Sequence, residues 1–210
     1  LSRLLRAYAV YNPAIGYTQG MASYAAVLLL YMSEEDAFWV FATAMEHCTL
    51  NGLFHAGFPL LHHYYDSWEA LLRKHHPKLA AHITRELGSF MGLPASSYER
   101  MCKEADRSRF VIPGFYTTMW FQAMLVGGDK PAPSTFAPRI MDHLLLDGNI
   151  SIIFAVGLAI MKQEKTILLK QRGDALAESL KAMPTRCKGV ESIFSSAIEI
   201  SIKEKFLYPE

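Results

Sequence analysis

The spacing of apolar residues follows the helical repeat in one segment after another, and this feature most constrains the fold. At the start of the chain, for example, apolar side chains stand at Leu1, Leu4 and Tyr8, which lie on one face of an α-helix. No segment alternates apolar and polar residues with the period of two expected of a half-buried strand. The sequence therefore predicts an all-α fold, a compact domain of about ten helices with no sheet.

Proline, glycine and short polar stretches mark where these helices begin and end. Ser33, for example, is followed by three acidic residues, a pattern typical of a helix N-terminus. The predicted helices cover residues 1–11, 21–32, 34–47, 60–75, 79–90, 114–126, 136–146, 150–161 (continuing or restarting over 162–170), 175–183 and 189–205. A further short, exposed helix is predicted within residues 98–106.

Composition agrees with a sizeable core, because 51% of the 210 residues are hydrophobic. A formal net charge of +1 gives no reason to expect nucleic acid as a partner. Cys48, Cys102 and Cys187 lack metal-ligand spacing and fit free thiols in a reducing compartment. The longest apolar runs, 21–32 and 150–161, are too short for a transmembrane helix. We therefore expect one domain over residues 1–210, in the cytoplasm.

Between the first two predicted helices, two glycines, Gly16 and Gly20, bracket the polar residue Gln19. Glycine adopts backbone angles closed to other residues, so this stretch is predicted to be a shaped loop. Pro13 supports the prediction because it biases Asn12 away from helical geometry. The helix after the loop is expected to place its N-terminus beside Gln19.

A glutamine in that position has the chemistry needed to act on a phosphate. Unpaired N–H groups and the helix dipole favour phosphate at a helix N-terminus. The amide of Gln19 can donate one hydrogen bond and accept another, which orienting a water molecule against a phosphate requires. The alternative is a buried glutamine whose amide pairs with neighbouring backbone groups. The chemistry of the loop alone leaves both interpretations open.

Together with its flanks, the loop resembles a known motif. The run from Leu5 to Pro13, followed by Tyr17-Thr18-Gln19-Gly20, is similar to the Tyr-x-Gln motif of TBC-domain Rab GTPase-activating proteins. In that family the glutamine replaces the water-positioning glutamine of the partner GTPase. The resemblance implies catalytic roles for Gln19 and for Tyr17, which would position Gln19 by packing unless it is a core tyrosine. The residues implied to shape the loop or face the partner are Asn12, Pro13, Gly16, Thr18 and Gly20.

The resemblance extends over most of the chain. Residues 33–39 resemble the family's acidic-then-aromatic helix start, and residues 76–94 resemble its middle helix and turn. The run 119–121, which contains Trp120, resembles the family's tryptophan-bearing helix. Arg139 and Asp142 belong to a run that resembles its Arg-Ile-Trp-Asp signature. These three residues are implied to be structural.

Three departures from the family pattern stand out. Met141 replaces the tryptophan of the signature, a change expected to affect packing more than chemistry because both side chains are large and apolar. Residues 96–111 are extra length and are expected to form a surface insertion. The family also carries an Ile-x-x-Asp-x-x-Arg motif upstream of the glutamine motif. We expect that this sequence begins after it, as an N-terminally truncated TBC domain.

Two arginines inside the chain are candidate substitutes for the upstream one. Arg109 ends an Asp-x-x-Arg run, but Lys103 occupies the isoleucine position and the order relative to the glutamine is reversed. A solvated charged loop is the favoured interpretation there. Arg6 lies close to the motif, but on a helix where surface arginines are common. Neither is expected to supply the arginine.

The resemblance implies acceleration of GTP hydrolysis by a GTP-bound Rab-family GTPase, with Gln19 orienting water and an upstream arginine stabilising charge. The partner would carry GTP and Mg²⁺, so no cofactor of the chain itself is expected. Endomembrane association would come through that partner. The alternative is a non-catalytic Rab-binding or scaffold module with the same fold. No metal site is expected either, because adjacent histidines such as His62 and His63 point about 100° apart on a helix.

Overall fold

The described residues, 1–93, 111–127 and 132–208, form ten α-helices and no β-strand in this computed structural model. The helices are α1 (Ser2–Tyr11), α2 (Met21–Leu29), α3 (Glu34–His47), α4 (Pro59–His75), α5 (Pro77–Phe90), α6 (Val111–Ala123), α7 (Phe136–Asp147), α8 (Ser151–Leu168), α9 (Gly173–Ala182) and α10 (Val190–Ile198). The all-α prediction is confirmed. The helix predicted within 98–106 lies outside the described residues. The insertion expected at 96–111 also lies outside them, apart from residue 111, where α6 begins.

Helix starts with a local signal fall where the sequence places them. The hydroxyl of Ser33 accepts a hydrogen bond from the N–H of Asp36 at 3.3 Å, which caps α3. Pro59 and Pro77 each open a helix, because a first-turn proline gives up only an N–H that would have no helical partner. These three starts follow from single residues.

The predicted bounds of α6 are wrong by three residues at each end. The sequence predicted a helix over 114–126, whereas α6 runs from Val111 to Ala123. Its start is earlier because Pro113 is tolerated in the first turn. Its end is earlier because Met124 and Leu125 both have positive φ, 51° and 61°, which an α-helix cannot continue through.

Two other helices end sooner than predicted. The apolar run after α2 continues to Met32, but Leu30 and Tyr31 are 75% and 68% exposed, so the run leaves the core after Leu29. Beyond α10, Ile200 and Ile202 both pack against the core. Side chains two positions apart point to the same side in an extended chain but not in a helix. The chain is therefore extended at Ile200 and Ile202, and the helix does not reach Lys205.

Helix α8 is the most buried element of the fold and packs against α4, α7 and α10. It passes under two tryptophans: the rings of Trp68 in α4 and Trp120 in α6 meet edge to face at 5.1 Å. A Cβ on Gly157 would lie 2.8 Å from both rings. Gly157 therefore lets α8 approach the helices that frame the candidate site.

Replacing Gly157 with alanine is expected to lower the free energy of unfolding by about 1–2 kcal/mol net, because the two buried rings cannot move aside and overpacking costs up to about 3 kcal/mol. The clash outweighs the gain of about 1 kcal/mol that alanine brings to a helix interior. Gly88→Ala is the matched control, since a Cβ there meets only Ile112 at 3.9 Å. Urea denaturation should show Gly88→Ala neutral or stabilised; equal stability of the two variants would contradict the packing argument.

Candidate functional site at the glutamine loop

Residues 12–20 join α1 to α2, and the first half of this loop is a turn built on Asn12. The N–H of Asn12 donates to the carbonyl of Tyr8 at 2.8 Å and ends α1. Its own carbonyl accepts from the N–H groups of Ile15 at 3.2 Å and Gly16 at 2.9 Å. Gly16 has φ +65°, which glycine adopts without strain. The predicted loop between the first two helices is confirmed, and Pro13 is exposed at its surface.

The second half of the loop is fixed by contacts on both sides of Gln19. The carbonyl of Thr18 accepts from the N–H of Met21 at 3.3 Å, and the Thr18 hydroxyl donates to the carbonyl of Phe54 at 3.5 Å. Gly20, at φ +107°, is the residue before the first turn of α2. Gln19 is therefore held between two residues whose backbone is anchored.

Gly20 lies directly against α6. A Cβ at Gly20 would be 2.5 Å from the carbonyl oxygen and 3.0 Å from the Cβ of Gln122. Distances this short exclude every residue other than glycine unless one of the two backbones shifts. The position of the loop is therefore fixed both by its contact with α6 and by its own turn at Asn12.

The side chain of Gln19 is exposed and reaches a cleft of about 420 Å³ between α6 and α9. Within the described part of the chain, no residue is hydrogen-bonded to this amide. The buried-glutamine alternative is therefore wrong. The cleft is lined by Gln19, Phe115, Tyr116, Thr118, Met119, Trp120, Gly127, Glu178, Lys181 and Pro184.

Charge in the cleft comes from α9. The Lys181 ammonium lies 4.0 Å from the centre of the Phe115 ring, a cation–π contact that holds it against the wall. Glu178 lies one turn earlier on the same helix. The cleft thus offers an amide, a cation and a carboxylate beside apolar walls.

Tyr17 points away from this cleft. It is 56% exposed and lines a second, mainly apolar hollow with Arg6, Leu5 and Ala22. The core-tyrosine alternative is therefore wrong. Tyr17 and Gln19 face different hollows, and Arg6 shares the one that Gln19 does not reach.

Of the three residues of the later signatures, Trp120 is part of the cleft wall, whereas Arg139 and Asp142 are not among the residues that line the cleft. Trp120 is 2% exposed and packs on Trp68. Arg139 pairs with Glu191 of α10 and lies 4.9 Å from the centre of the Phe194 ring, so it ties α7 to α10. Asp142 is exposed on α7.

Met141, which stands in place of the family's tryptophan, is 4% exposed in the core. Its position agrees with the expectation that the change affects packing. Met141 reaches the core from α7, whereas the cleft beside Gln19 lies between α6 and α9.

In each of the adjacent pairs His62–His63 and His75–His76, the second histidine makes a structural contact, and His63 Nε2 lies 3.5 Å from the hydroxyl of Ser67 within α4. His76 Nε2 lies 3.2 Å from the carbonyl oxygen of Leu158, which joins the end of α4 to α8. Burial lowers the pKa of His76 and of His63, favouring neutral rings. No group of three or more metal-ligating side chains occurs in the described ranges.

Two parts of the site are not predicted from the sequence, Gln122 and the segment Leu53–Phe54. The amide of Gln122 donates to the carbonyl of Leu53 at 3.2 Å, and the next carbonyl accepts from Thr18. The available signal was that Gln122 is the one polar residue in the apolar run 119–126. The segment 53–54 carries no such signal, because only its backbone is used.

Comparison with known proteins shows the family to which the chain belongs. The model of the Rab-GTPase-TBC domain family matches residues 1–169. The chain belongs to the Rab-GTPase-TBC domain family, which confirms the resemblance drawn from the glutamine motif.

Individual relatives give the same family. The chain is 31% identical to the GTPase-activating protein GYP5 of Saccharomyces cerevisiae over 183 residues, 86% of this chain and 17% of that protein. It is 26% identical to human TBC1 domain family member 14, over 98% of the chain and 26% of the relative. For mouse TBC1 domain family member 10B the identity is 25%, over 100% of the chain and 23% of the relative. The chain thus spans about a quarter or less of these proteins.

In the portion of the chain that the structure covers, no helix is long and apolar enough to cross a membrane.

Proposed function

We propose that this chain is part of a GTPase-activating protein for Rab-family small GTPases and that Gln19 acts on the bound GTP of the partner. Family membership supports the class of partner. The observation that carries the proposal is the exposed Gln19 amide, held between anchored residues at the edge of a cleft. A glutamine free of internal hydrogen bonds can give both its donor and its acceptor to another protein's site.

In the proposed mechanism, the carbonyl oxygen of Gln19 accepts a hydrogen bond from the attacking water. Its NH₂ group donates to an oxygen of the γ-phosphate, so that water and phosphorus are aligned for in-line attack. The chain forms no covalent bond to the phosphate. GTP and Mg²⁺ are carried by the GTPase, which is GTP-bound when it is recognised.

The second half of the mechanism is an arginine that stabilises charge on the transferred phosphoryl group. We assign it to a segment preceding Leu1, as the family pattern implies. An arginine of this kind raises the rate by about 10³–10⁵. Arg6 lines a hollow other than that of Gln19, which disfavours it as the source.

A non-catalytic module that binds a Rab without activating it is the second candidate. The hollow lined by α1 and Tyr17 favours this second candidate, because that surface could bind a partner without any contribution from Gln19. The two candidates differ in whether hydrolysis accelerates on binding. In either case membrane association would follow from the Rab, on the cytoplasmic side of endomembranes.

The test is single-turnover GTP hydrolysis across a panel of GTP-loaded Rab proteins. A longer protein containing this sequence and its preceding segment should accelerate at least one Rab by about 10³-fold or more. The 210-residue chain alone should bind that Rab and accelerate it weakly. Binding without acceleration by the longer protein would favour the non-catalytic candidate. Full acceleration by the short chain would place the arginine within it, at Arg6 or Arg109.

A further inference from the structure

Gln122 is a polar side chain in the apolar helix α6, and it is only 8% exposed. Its neighbours Phe121 and Ala123 are fully buried. A buried amide must find hydrogen-bond partners to offset its desolvation. The partner here is the carbonyl of Leu53, 3.2 Å from Nε2, at the end of a short 3₁₀ turn (Leu50–Leu53) between α3 and α4.

This hydrogen bond closes a frame around the glutamine loop. The backbone of Gln122 supports Gly20 from one side. Its amide holds Leu53, and the next residue, Phe54, accepts the hydroxyl of Thr18 at 3.5 Å. Thr18, before Gln19, is therefore bonded to the residue that follows the 3₁₀ turn, and Gly20, after Gln19, packs against α6. The hydrogen bond from Gln122 to Leu53 joins these two supports.

A second hydrogen bond fixes α6 itself. The hydroxyl of Tyr24, in α2, donates to the carbonyl of Phe121 at 2.5 Å, near the end of α6 where carbonyls lose their helical partners. The ring of Tyr24 also meets that of Phe54 edge to face at 6.3 Å. The frame is thus tied to the helix that follows the loop, and α6 cannot shift without moving Gly20.

We propose that Gln122 is a positioning residue for Gln19: its amide joins α6 to the 3₁₀ turn at Leu53, and together they hold the loop in the conformation that presents Gln19 to the γ-phosphate. The proposal rests on the proposed function for its effect on hydrolysis. The effect on the loop itself does not depend on that function.

The expected consequence is a loss of rate without a loss of partner binding. A displacement of about 1 Å in a positioned group can cost about 100-fold in rate. Removing the hydrogen bond between Gln122 and Leu53 leaves the packing of Gly20 on α6 in place, so it should displace Gln19 by less than about 1 Å. We therefore expect about a 10-fold decrease in kcat, with KM for the GTPase unchanged within about twofold.

The first variant is Gln122→Met, which keeps the length of the side chain and removes the amide. Gln163→Met is the control for loss of a side-chain amide, because exposed Gln163 on α8 also donates to a backbone carbonyl, that of Lys188 at 3.1 Å, far from the loop in sequence. Kinetics are measured in the longer protein, with the fraction of folded protein determined for each variant. A fall in kcat confined to Gln122→Met supports the proposal, and equal falls in both variants overturn it.

Hydrogen exchange measured by mass spectrometry provides a test that needs no GTPase. Peptides covering residues 12–21 should exchange faster in Gln122→Met than in the wild type or in Gln163→Met. Unchanged exchange in these peptides would overturn the inference, even if hydrolysis is affected. If the wild type activates no GTPase, the proposed function fails, while the exchange result still decides the role of Gln122.

Thr18→Val is the second variant, for use if Gln122→Met does not fold. It removes the hydroxyl that donates to Phe54 and leaves the core untouched. The same pattern is expected, with lower kcat, unchanged KM and faster exchange over residues 12–21. Wild-type values in all three measurements would contradict the frame.

Discussion

Replacing Gln19 with alanine is expected to lower kcat for GTP hydrolysis about 100-fold or more, the cost of removing one positioned hydrogen-bonding group from a transition state. KM for the GTPase should change little, because one exposed side chain is a small part of an interface of about 800 Å² per partner. The melting temperature should not change either, because no described residue is bonded to the Gln19 amide. Single-turnover hydrolysis with a Rab that the longer protein activates is the measurement.

Two further variants make this prediction specific. Gln19→Glu keeps the shape but has no NH₂ group and adds negative charge beside the phosphate, so it should be at least as impaired as alanine. Gln163→Ala removes an exposed glutamine on α8 and should behave as wild type. Undiminished acceleration by Gln19→Ala would show that the chain does not act through this residue.

Replacing Gly20 with alanine should have the largest effect on stability, a loss of about 3 kcal/mol. One contribution is the positive φ of +107°, which costs about 1–3 kcal/mol for a residue with a side chain. The other is overpacking, because the new Cβ would be 2.5 Å from the carbonyl oxygen of Gln122, and such contacts cost about 1–3 kcal/mol. Urea denaturation measures the sum.

Gly16→Ala separates these two causes. Gly16 also has a positive φ, +65°, but nothing lies within 4 Å of the position that its Cβ would occupy. It should lose only about 1–2 kcal/mol, the cost of left-handed backbone. Folded Gly20→Ala should also show a kcat reduced by about 10-fold or more, since its loop must move away from α6. Equal stability of the two variants would mean that α6 yields to the new side chain.

The parts of the fold that the sequence predicted are those with local signals. Ser33 accepts a hydrogen bond from the N–H of Asp36, only three residues later. Pro59 and Pro77 mark helix starts because proline is tolerated in the first turn. The turn at Gly16 is also local, since its hydrogen bonds return to Asn12. These features need no knowledge of the rest of the chain.

The environment of Gln19 could not be predicted in the same way. Whether a glutamine between two glycines is buried or exposed depends on what packs against the loop, and that is α6. The contact of Gly20 with Gln122 joins residues from different parts of the sequence, and so does the hydrogen bond from Gln122 to Leu53. Family resemblance supplied the role proposed for Gln19, while its exposure and its supports came only from the structure.

The frame around the loop also bears on the order in which the protein can fold. Gln122 and Leu53 are 69 positions apart, and Tyr24 and Phe121 are 97 apart. Contacts at such separations form late, because the chain between them must lose entropy before they are made. On the ribosome, α1 and α2 can become helical as soon as they emerge, but the loop between them lacks its support until α6 follows. The glutamine motif is therefore synthesised before α6 but takes its final conformation only once α6 has followed.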